Sequence, residues 1–526
     1  MTSISSLFFL SSINIVIGLV GLCGVATLCN NLLALAAPLS LSNTTTCHAA
    51  DLPPNANFTD CCPPSSTNII DFEFPSSTQN LRVRPAAHLV NSDYIAKYEK
   101  AVALMKALPS DDPRSFYRQA NIHCAYCNGA YSQVGYPDLE FQIHNSWLFL
   151  PWHRLYLYFY ERILGSLIND PTFAIPFWNY DAPLGMQLPS IYADPESPLY
   201  DAFRNTTHLP PKLTDLNYND NDDPNASVSN NLAIMYRQVV SSSKTPTLFF
   251  GNAYRAGDKP NPGPGTIENT PHGPIHGWVS DTDQPNGEDM GNFYSSARDP
   301  IFFPHHSNID RLWTIWKTLG GNRKDITDSD WLESEFLFYD EDKNLVRVKV
   351  KDSLDTTKLG YSYQNVDIPW LNNKPKPRRS KPQKLALQTS RNFVKFPLVL
   401  ESVVSTIVKR PRKNRSKKEK EEKEEVLVIE GIEFDSNIGV KFDVFINEKD
   451  NKLIRPNNIE FAGSFVSVPH SHKHKNKINT SLKLGISDLL EALKVENDDS
   501  VVVTLAPKYG KGKVQISGIK IDLIHD

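Results

Sequence analysis

The chain has 526 residues, which is enough for two or more domains with buried cores once any targeting segment is set aside. Its composition is that of a globular protein, and a formal net charge of -4 leaves no broad basic surface, which excludes nucleic acid as a main partner. Fourteen histidines and seven cysteines are the residues with the most chemical information.

The N-terminal 50 residues contain no Asp, Glu, Lys or Arg, and residues 13–37 are almost wholly apolar. This composition predicts a targeting segment over residues 1–40. Two interpretations are open: a cleaved signal, for which Ala34 and Ala36 provide the A-x-A spacing, or a retained membrane anchor. Cleavage is favoured, so we expect membrane contact only through this segment.

Helical patterns dominate the next part of the chain. Apolar residues recur every three or four positions in residues 94–110, and two aromatic stretches, 144–168 and 307–319, have the same period. The helix at 144–168 is expected to be interrupted or to begin again near Pro151. These patterns predict a mainly α domain over residues 45–370, with long loops around residues 185–265.

Short β-branched runs replace the helical pattern after a Pro-rich and basic segment. That segment predicts a linker at 371–389, and the runs between 396 and 524 alternate with period two between turn residues. We therefore expect an all-β sandwich domain over residues 390–526. The charged run at 409–425 is expected to be a solvated loop between two of its strands.

Six histidines form two groups of three, each flanked by aromatic helices: His123, His144 and His153, and His272, His276 and His306. In a helix His272 and His276 would share a face, and Asp310 is spaced to orient the imidazole of His306. Three imidazoles without a carboxylate ligand favour copper, and the absence of HExxH excludes the usual zinc protease. Two sites for a redox metal are therefore predicted.

Removal of the leader leaves five cysteines: Cys47, Cys61, Cys62, Cys124 and Cys127. An odd number in an oxidising compartment indicates two disulfides and one cysteine with another fate, and four paired cysteines allow three connectivities. The stretch NIHCAYCNGAY at 121–131 combines a histidine of the first group with two of these cysteines.

Seven motifs occur in order after residue 45: NIHCAYCNGAY, FLPWHRLYLYFYER, TPHGPIHGW, DPIFFPHHSNIDRLW, DWL at 330–332, YSY at 361–363 and KFDV at 441–444. Together they resemble the plant polyphenol oxidases of the catechol oxidase and tyrosinase family. The resemblance implies two copper ions in a type 3 centre, held by the two histidine groups, with His305 a non-ligand. It also implies a thioether from Cys127 to Cε of His144 and disulfides Cys47–Cys62 and Cys61–Cys124.

The implied reaction is the oxidation of catechols, small phenolic substrates, to o-quinones with reduction of O2 to water. By resemblance Phe293 lies over the entrance and Glu268 fixes a water near the metals. Gly273 stands where a polar residue is associated with monophenol hydroxylation, so that activity is expected to be weak. The alternatives are an oxygen carrier resembling hemocyanin and a two-zinc hydrolase.

The sharp change from helical to strand patterning, with an exposed Pro-rich and basic linker between the two regions, predicts that the β-rich domain shields the metal centre and keeps the enzyme latent. Phe461 and Phe465 are the candidate side chains for entering the pocket beside Phe293, and the alternative is that both pack inside the β-sandwich. By resemblance, the YSY tyrosines are expected to fasten the helical domain against an arginine such as Arg84. The leader has no arginine and six N-x-[ST] sequons follow it, at Asn43, Asn57, Asn205, Asn225, Asn414 and Asn479. We therefore expect a glycoprotein of the secretory pathway delivered to the vacuole, with the thylakoid lumen as the alternative. No feature predicts the oligomeric state.

Overall fold

The computed structural model describes residues 37–41, 43–75, 81–218, 223–375, 394–448, 455–470 and 477–525. Most of the leader predicted at 1–40 and most of the linker predicted at 371–389 lie outside these ranges. Within the ranges, no helix combines the length and apolar composition that a membrane span requires.

The part of the chain before the predicted linker is mainly helical. Its α-helices are α1 (Ser92–Lys106), α2 (Phe116–Cys127), α3 (Phe149–Leu167), α4 (Pro224–Met235), α5 (Pro246–Phe250), α6 (Gly273–Val279), α7 (Phe302–Thr318) and α8 (Ser329–Glu333). Two π-helical turns, Tyr236–Ser241 and Glu268–His272, lie directly after α4 and directly before α6. Nearly every residue of α3 is buried, because its sequence is aromatic or aliphatic on all sides.

Helices α3 and α7 pack against each other and form the centre of this region. The helix predicted at 144–168 begins near Pro151, which was one of the two expectations, because Pro151 lies in the first turn of α3, where its missing N–H breaks no helical hydrogen bond. Pro304 has the same place in α7, which therefore begins earlier than its apolar pattern predicted. His153 and His306, which follow these prolines by two residues, consequently lie near the starts of α3 and α7.

Short strands brace the helical region. They are β1 (Ile69–Asp71), β2 (Arg82–Arg84), β3 (Ser132–Gln133), β4 (Tyr136–Glu140), β5 (Glu335–Tyr339), β6 (Leu345–Lys349) and β7 (Tyr361–Tyr363). Strands β1, β6 and β5 form one sheet, β3 pairs with β4, and β2 pairs in parallel with β7. The β2–β7 pair places the YSY motif beside the LRVR segment.

The C-terminal region is a β-sandwich, so the predicted fold class is confirmed. Its strands are β8 (Leu398–Val399), β9 (Val404–Lys409), β10 (Glu424–Asp435), β11 (Val440–Ile446), β12 (Phe461–Ser467), β13 (Lys477–Gly485), β14 (Ser500–Tyr509), β15 (Gln515–Ile516) and β16 (Gly518–Ile524), with short helices α9 (Lys417–Glu422) and α10 (Ser487–Ala492). One sheet has the order β13-β10-β15-β8, with β16 also on β10, and the other has the order β12-β11-β14-β9. Every residue of β11 and β12 is buried, because one face of that sheet packs inside the sandwich and the other contacts the helical region.

Asp310 does not orient an imidazole, so its predicted role is wrong. Its carboxylate accepts hydrogen bonds from Arg84 (3.2 Å), Tyr361 (2.6 Å), Arg154 and Tyr363, and Arg84 also donates to Tyr363 at 3.0 Å. All five side chains are buried or half-buried at the end of the helical region. The network thus ties the YSY strand to α3 and α7.

Replacing Asp310 with Asn is expected to lower the free energy of unfolding by about 3–5 kcal/mol, because it leaves the buried guanidinium of Arg154 without its carboxylate partner. Arg84 keeps its second partner, Glu161, at 2.9 Å. Burial favours the neutral acid, but Arg154 and Arg84 together with the two tyrosines hold the pKa of Asp310 below its ordinary value. The contribution of Asp310 is therefore complete above its unfolded pKa of about 3.9 and is lost as the pH falls below it.

Urea unfolding of the Asp310→Asn variant, with the exposed Asp111→Asn as control, measures this effect. Equal unfolding midpoints for the two variants would show that the network contributes nothing to stability.

Candidate metal centre and its entrance

The first group of histidines converges from two helices and a loop. His123 lies on α2, His153 lies in the first turns of α3, and His144 lies in the loop between β4 and α3. All three are buried, and their ligand atoms lie within 4.8 Å of one another. The Nδ1–H groups of His123 and His153 donate to the backbone carbonyls of Phe293 and Phe149, each at 2.8 Å.

The second group lies where the π-helical turn meets α6 and where α7 begins. His272 ends the turn, His276 lies on α6 and His306 lies on α7, and their ligand atoms, with those of His305, also lie within 4.8 Å of one another. The Nδ1–H of His272 donates to the carbonyl of Glu268 at 3.1 Å, and that of His276 donates to the carbonyl of Met290 at 2.7 Å.

The two groups face each other as a single centre. The rings of His153 and His306 are parallel, with centroids 4.2 Å apart, and those of His144 and His272 are 5.8 Å apart. Burial lowers the pKa of every one of these imidazoles, to about 3 for His123 and about 4 for His276, so they are neutral at neutral pH.

This arrangement fits metal ions. Four Nδ1–H groups are fixed on backbone carbonyls, which leaves the Nε2 lone pairs of those four rings directed inward. The Nε2 atoms of His123, His153 and His272 and both ring nitrogens of His144 are buried without a protein hydrogen-bond partner. Buried acceptors without a partner are costly, and coordination of a metal removes that cost. The two clusters are therefore suited to binding metal.

The cysteines surround the first group. Disulfides join Cys47 to Cys62 and Cys61 to Cys124, and among the described cysteines Cys127 alone is free. Burial raises the pKa of the Cys127 thiol. The Gln142 amide donates to the carbonyl of Cys127 at 3.0 Å and accepts from the backbone N–H of His144 at 3.0 Å, so this side chain holds the two segments together.

Phe293 covers the centre and is itself covered by the β-sandwich. Its ring stacks on His144 with centroids 3.9 Å apart, and His470 stacks on its other face at 4.6 Å. The backbone N–H of Phe293 donates to the carbonyl of Pro469 at 3.2 Å. No role was predicted for His470 from the sequence. It follows β12 in the histidine-rich stretch PHSHKH, which was the one available signal.

Neither phenylalanine proposed to enter the pocket does so. Phe465 packs inside the sandwich, with its ring 5.3 Å from that of Phe442, and Phe461 packs on Phe445 at 5.5 Å in the core shared with the helical region. Entry of either ring is therefore contradicted, and the residues that contact Phe293 are Pro469 and His470, which follow β12.

Glu268 and Gly273 flank His272 on either side. Oε1 of Glu268 accepts from the backbone N–H of Asn145 at 2.5 Å, whereas Oε2 is buried without a protein partner. Burial raises the pKa of Glu268 well above its ordinary value, against the backbone hydrogen bonds that lower it. A Cβ atom at Gly273 would lie 2.7 Å from Cγ1 of Val466, so β12 occupies the space above this position.

Three family models match the chain in order. They are the common central domain of tyrosinase over 113–319, the polyphenol oxidase middle domain over 325–376 and the chloroplastic polyphenol oxidase C-terminal domain over 396–523. The first spans all six histidines and the third spans the β-sandwich. Fold and site together therefore define a tyrosinase-type oxidase.

Similar proteins of known family identify the branch of the family to which the chain belongs. The chain is 60% identical over 527 residues to the chloroplastic polyphenol oxidase of Malus domestica and 62% identical over 539 residues to chloroplastic polyphenol oxidase A1 of Vicia faba, and each alignment covers 97% of this chain and 88% of the relative. A solved structure of latent apple tyrosinase matches with a TM-score of 0.83 at 62% identity, covering 86% of this chain and 99% of that chain. The chain belongs to the plant polyphenol oxidase family, as its motifs predicted, and the oxygen-carrier alternative is not favoured.

The prediction of secretory delivery to the vacuole is wrong. Both relatives are named chloroplastic, which indicates localisation in the chloroplast. The prediction rested on an apolar leader without arginine, and an apolar stretch of this kind suits any bilayer and does not identify the membrane.

Proposed function

We propose that the chain oxidises o-diphenols to o-quinones at two copper ions, with O2 as the electron acceptor. The observation that supports this most directly is the pair of adjacent imidazole triads, His123, His144 and His153 with His272, His276 and His306. The Nε2 atoms of His123, His144, His153 and His272 are buried without a protein partner, and those of His276 and His306 lie 3.4 Å apart. Three neutral imidazoles without a carboxylate suit copper in both of its oxidation states. When bound, the copper pair supplies electron transfer from phenol to O2, and two diphenols are oxidised for each O2 reduced to two waters.

The protein's own part is to keep the donors neutral and in place and to position the substrate. Backbone carbonyls hold four of the six imidazoles in one tautomer, and burial keeps all six unprotonated. Phe293 provides an apolar wall beside His144 for the substrate ring. Glu268 holds a water through the oxygen that lacks a protein partner.

Cys127 forms a thioether to Cε of His144 in the mature enzyme. The buried free thiol and the Gln142 bridge between the two segments support this bond. Its formation removes one hydrogen from sulfur and one from carbon, and O2 accepts the two electrons. The bond restrains the one imidazole of the first triad that has no backbone carbonyl partner.

The β-sandwich keeps the full-length enzyme latent. The ring of His470 stacks on that of Phe293, and the carbonyl of Pro469 accepts a hydrogen bond from the backbone N–H of Phe293. Next to the second triad, the backbone N–H of Val466 donates to Oδ1 of Asn269 at 3.1 Å. These contacts fill the side of the centre from which a phenol would approach. Gly273 adds no polar side chain there, so we expect weak monophenol hydroxylation.

The test is an assay of the copper-loaded full-length chain after release of its β-sandwich. We expect catechol to be converted to quinone with one O2 consumed for two quinones, and tyrosine to be converted far more slowly. Reversible O2 binding without quinone would indicate a carrier, and purification with zinc and no oxidation of either phenol would refute the proposal.

A further inference from the structure

His305 is buried within the second histidine group although the family resemblance gives it no ligand role. It precedes His306 on α7, and its ligand atom lies within 4.8 Å of those of His272, His276 and His306. Its ring centroid is 5.0 Å from that of His276 and 4.9 Å from that of His306. The second group therefore contains four imidazoles and the first contains three.

The ring nitrogens of His305 make no hydrogen bond to the described residues, although both are buried. His272 and His276, in contrast, each donate one N–H to a backbone carbonyl. An imidazole buried in this way costs free energy that a phenylalanine of similar shape would avoid. A donor role toward a metal accounts for an imidazole at this position, and aromatic packing alone does not.

We propose that His305 is a reserve donor for the second metal ion, which takes the place of a neighbouring imidazole when that imidazole leaves the ion. The inference rests on the copper assignment proposed above. It makes the two sites unequal: loss of one imidazole from the first triad leaves two donors, whereas loss of one from the second group leaves three.

Copper retention in the full-length chain tests this inequality. Four copper-loaded proteins are compared for copper content and for the rate of copper loss to a cuprous chelator: wild type, His153→Ala, His276→Ala and His276→Ala/His305→Phe. We expect His276→Ala to keep two copper ions. His153→Ala and the double variant are each expected to lose one copper ion at least about tenfold faster than His276→Ala does. Phe keeps the ring packing of His305, and circular dichroism checks that the fold is retained.

Equal copper loss from His276→Ala and the double variant would overturn the inference. X-ray absorption spectroscopy of His276→Ala tests the role of His305 without the double variant, because it measures the number of imidazole ligands per copper ion. An average of three is expected, and an average below three would contradict the role of His305. Wild-type protein that binds no copper would instead refute the proposed function, so the two failures are distinguishable.

Discussion

Replacing His153 with Ala is expected to remove copper from the first triad and to lower diphenol oxidation more than about 100-fold. Loss of a residue that only orients a ligand already costs about 10–100-fold in metal affinity or activity, and His153 is itself a proposed ligand. Among the residues that the structure describes, no fourth imidazole lies in the first group to replace it. Copper content and kcat/KM for catechol, measured on the same preparation, check both parts.

The exposed His525→Ala is the matched control, because it removes an imidazole far from both groups in the sequence. It should keep two coppers and full turnover. A His153→Ala protein with two coppers and wild-type kcat/KM would remove His153 from the ligand set.

Release of the β-sandwich is expected to raise kcat/KM for diphenols about tenfold or more at constant copper content. At least three hydrogen bonds join the two regions: Phe293 to Pro469, Val466 to Asn269, and Arg237 to the carbonyl of Ile459 at 2.8 Å. At about 1 kcal/mol each, such bonds favour the closed state by on the order of 100-fold. The apparent activity then rises as the open fraction increases.

A specific protease site placed between residues 376 and 393 allows cleavage of the folded protein, and the protease-treated chain without that site is the control. The activity of the cleaved chain is measured before and after separation of the fragments. Equal kcat/KM per copper after complete removal of the β-sandwich would end the latency proposal.

A point substitution should produce part of the same effect. His470→Ala removes the ring stacked on Phe293 and leaves the chain uncleaved, so a smaller rise in kcat/KM is expected, with little change in the released enzyme. No rise in the intact chain would show that the entrance is covered by other contacts.

Grouping made the histidines predictable from sequence, because each group includes at least one histidine in or beside an aromatic stretch whose period indicates a buried helix. Asp310 was not predictable in the same way. The spacing of four residues placed it on the same face of α7 as His306, but its carboxylate is bonded to Arg84 and Arg154, which come from distant parts of the sequence. Spacing identifies a face of a helix and not the neighbours of that face.

The position of the β-sandwich residues depends on a detail that alternation does not reveal. Phe461 and Phe465 are four residues apart, which in a regular strand places both on one face. A register shift between β11 and β12, at Val444 and Phe445, puts Phe461 toward the helical region and Phe465 into the sandwich. The short helix α9 in the charged run was likewise unexpected, although Ser416 and Glu419 form a capping box at its start.

The central claim is that two copper ions lie side by side between the two triads. Anomalous X-ray scattering from crystals of the copper-loaded protein, recorded on both sides of the copper absorption edge, tests it most directly. Two peaks are predicted, one among His123, His144 and His153 and one in the second group beside His272, His276 and His306. A single peak, peaks away from these imidazoles, or a signal that appears at the zinc edge instead would contradict the account.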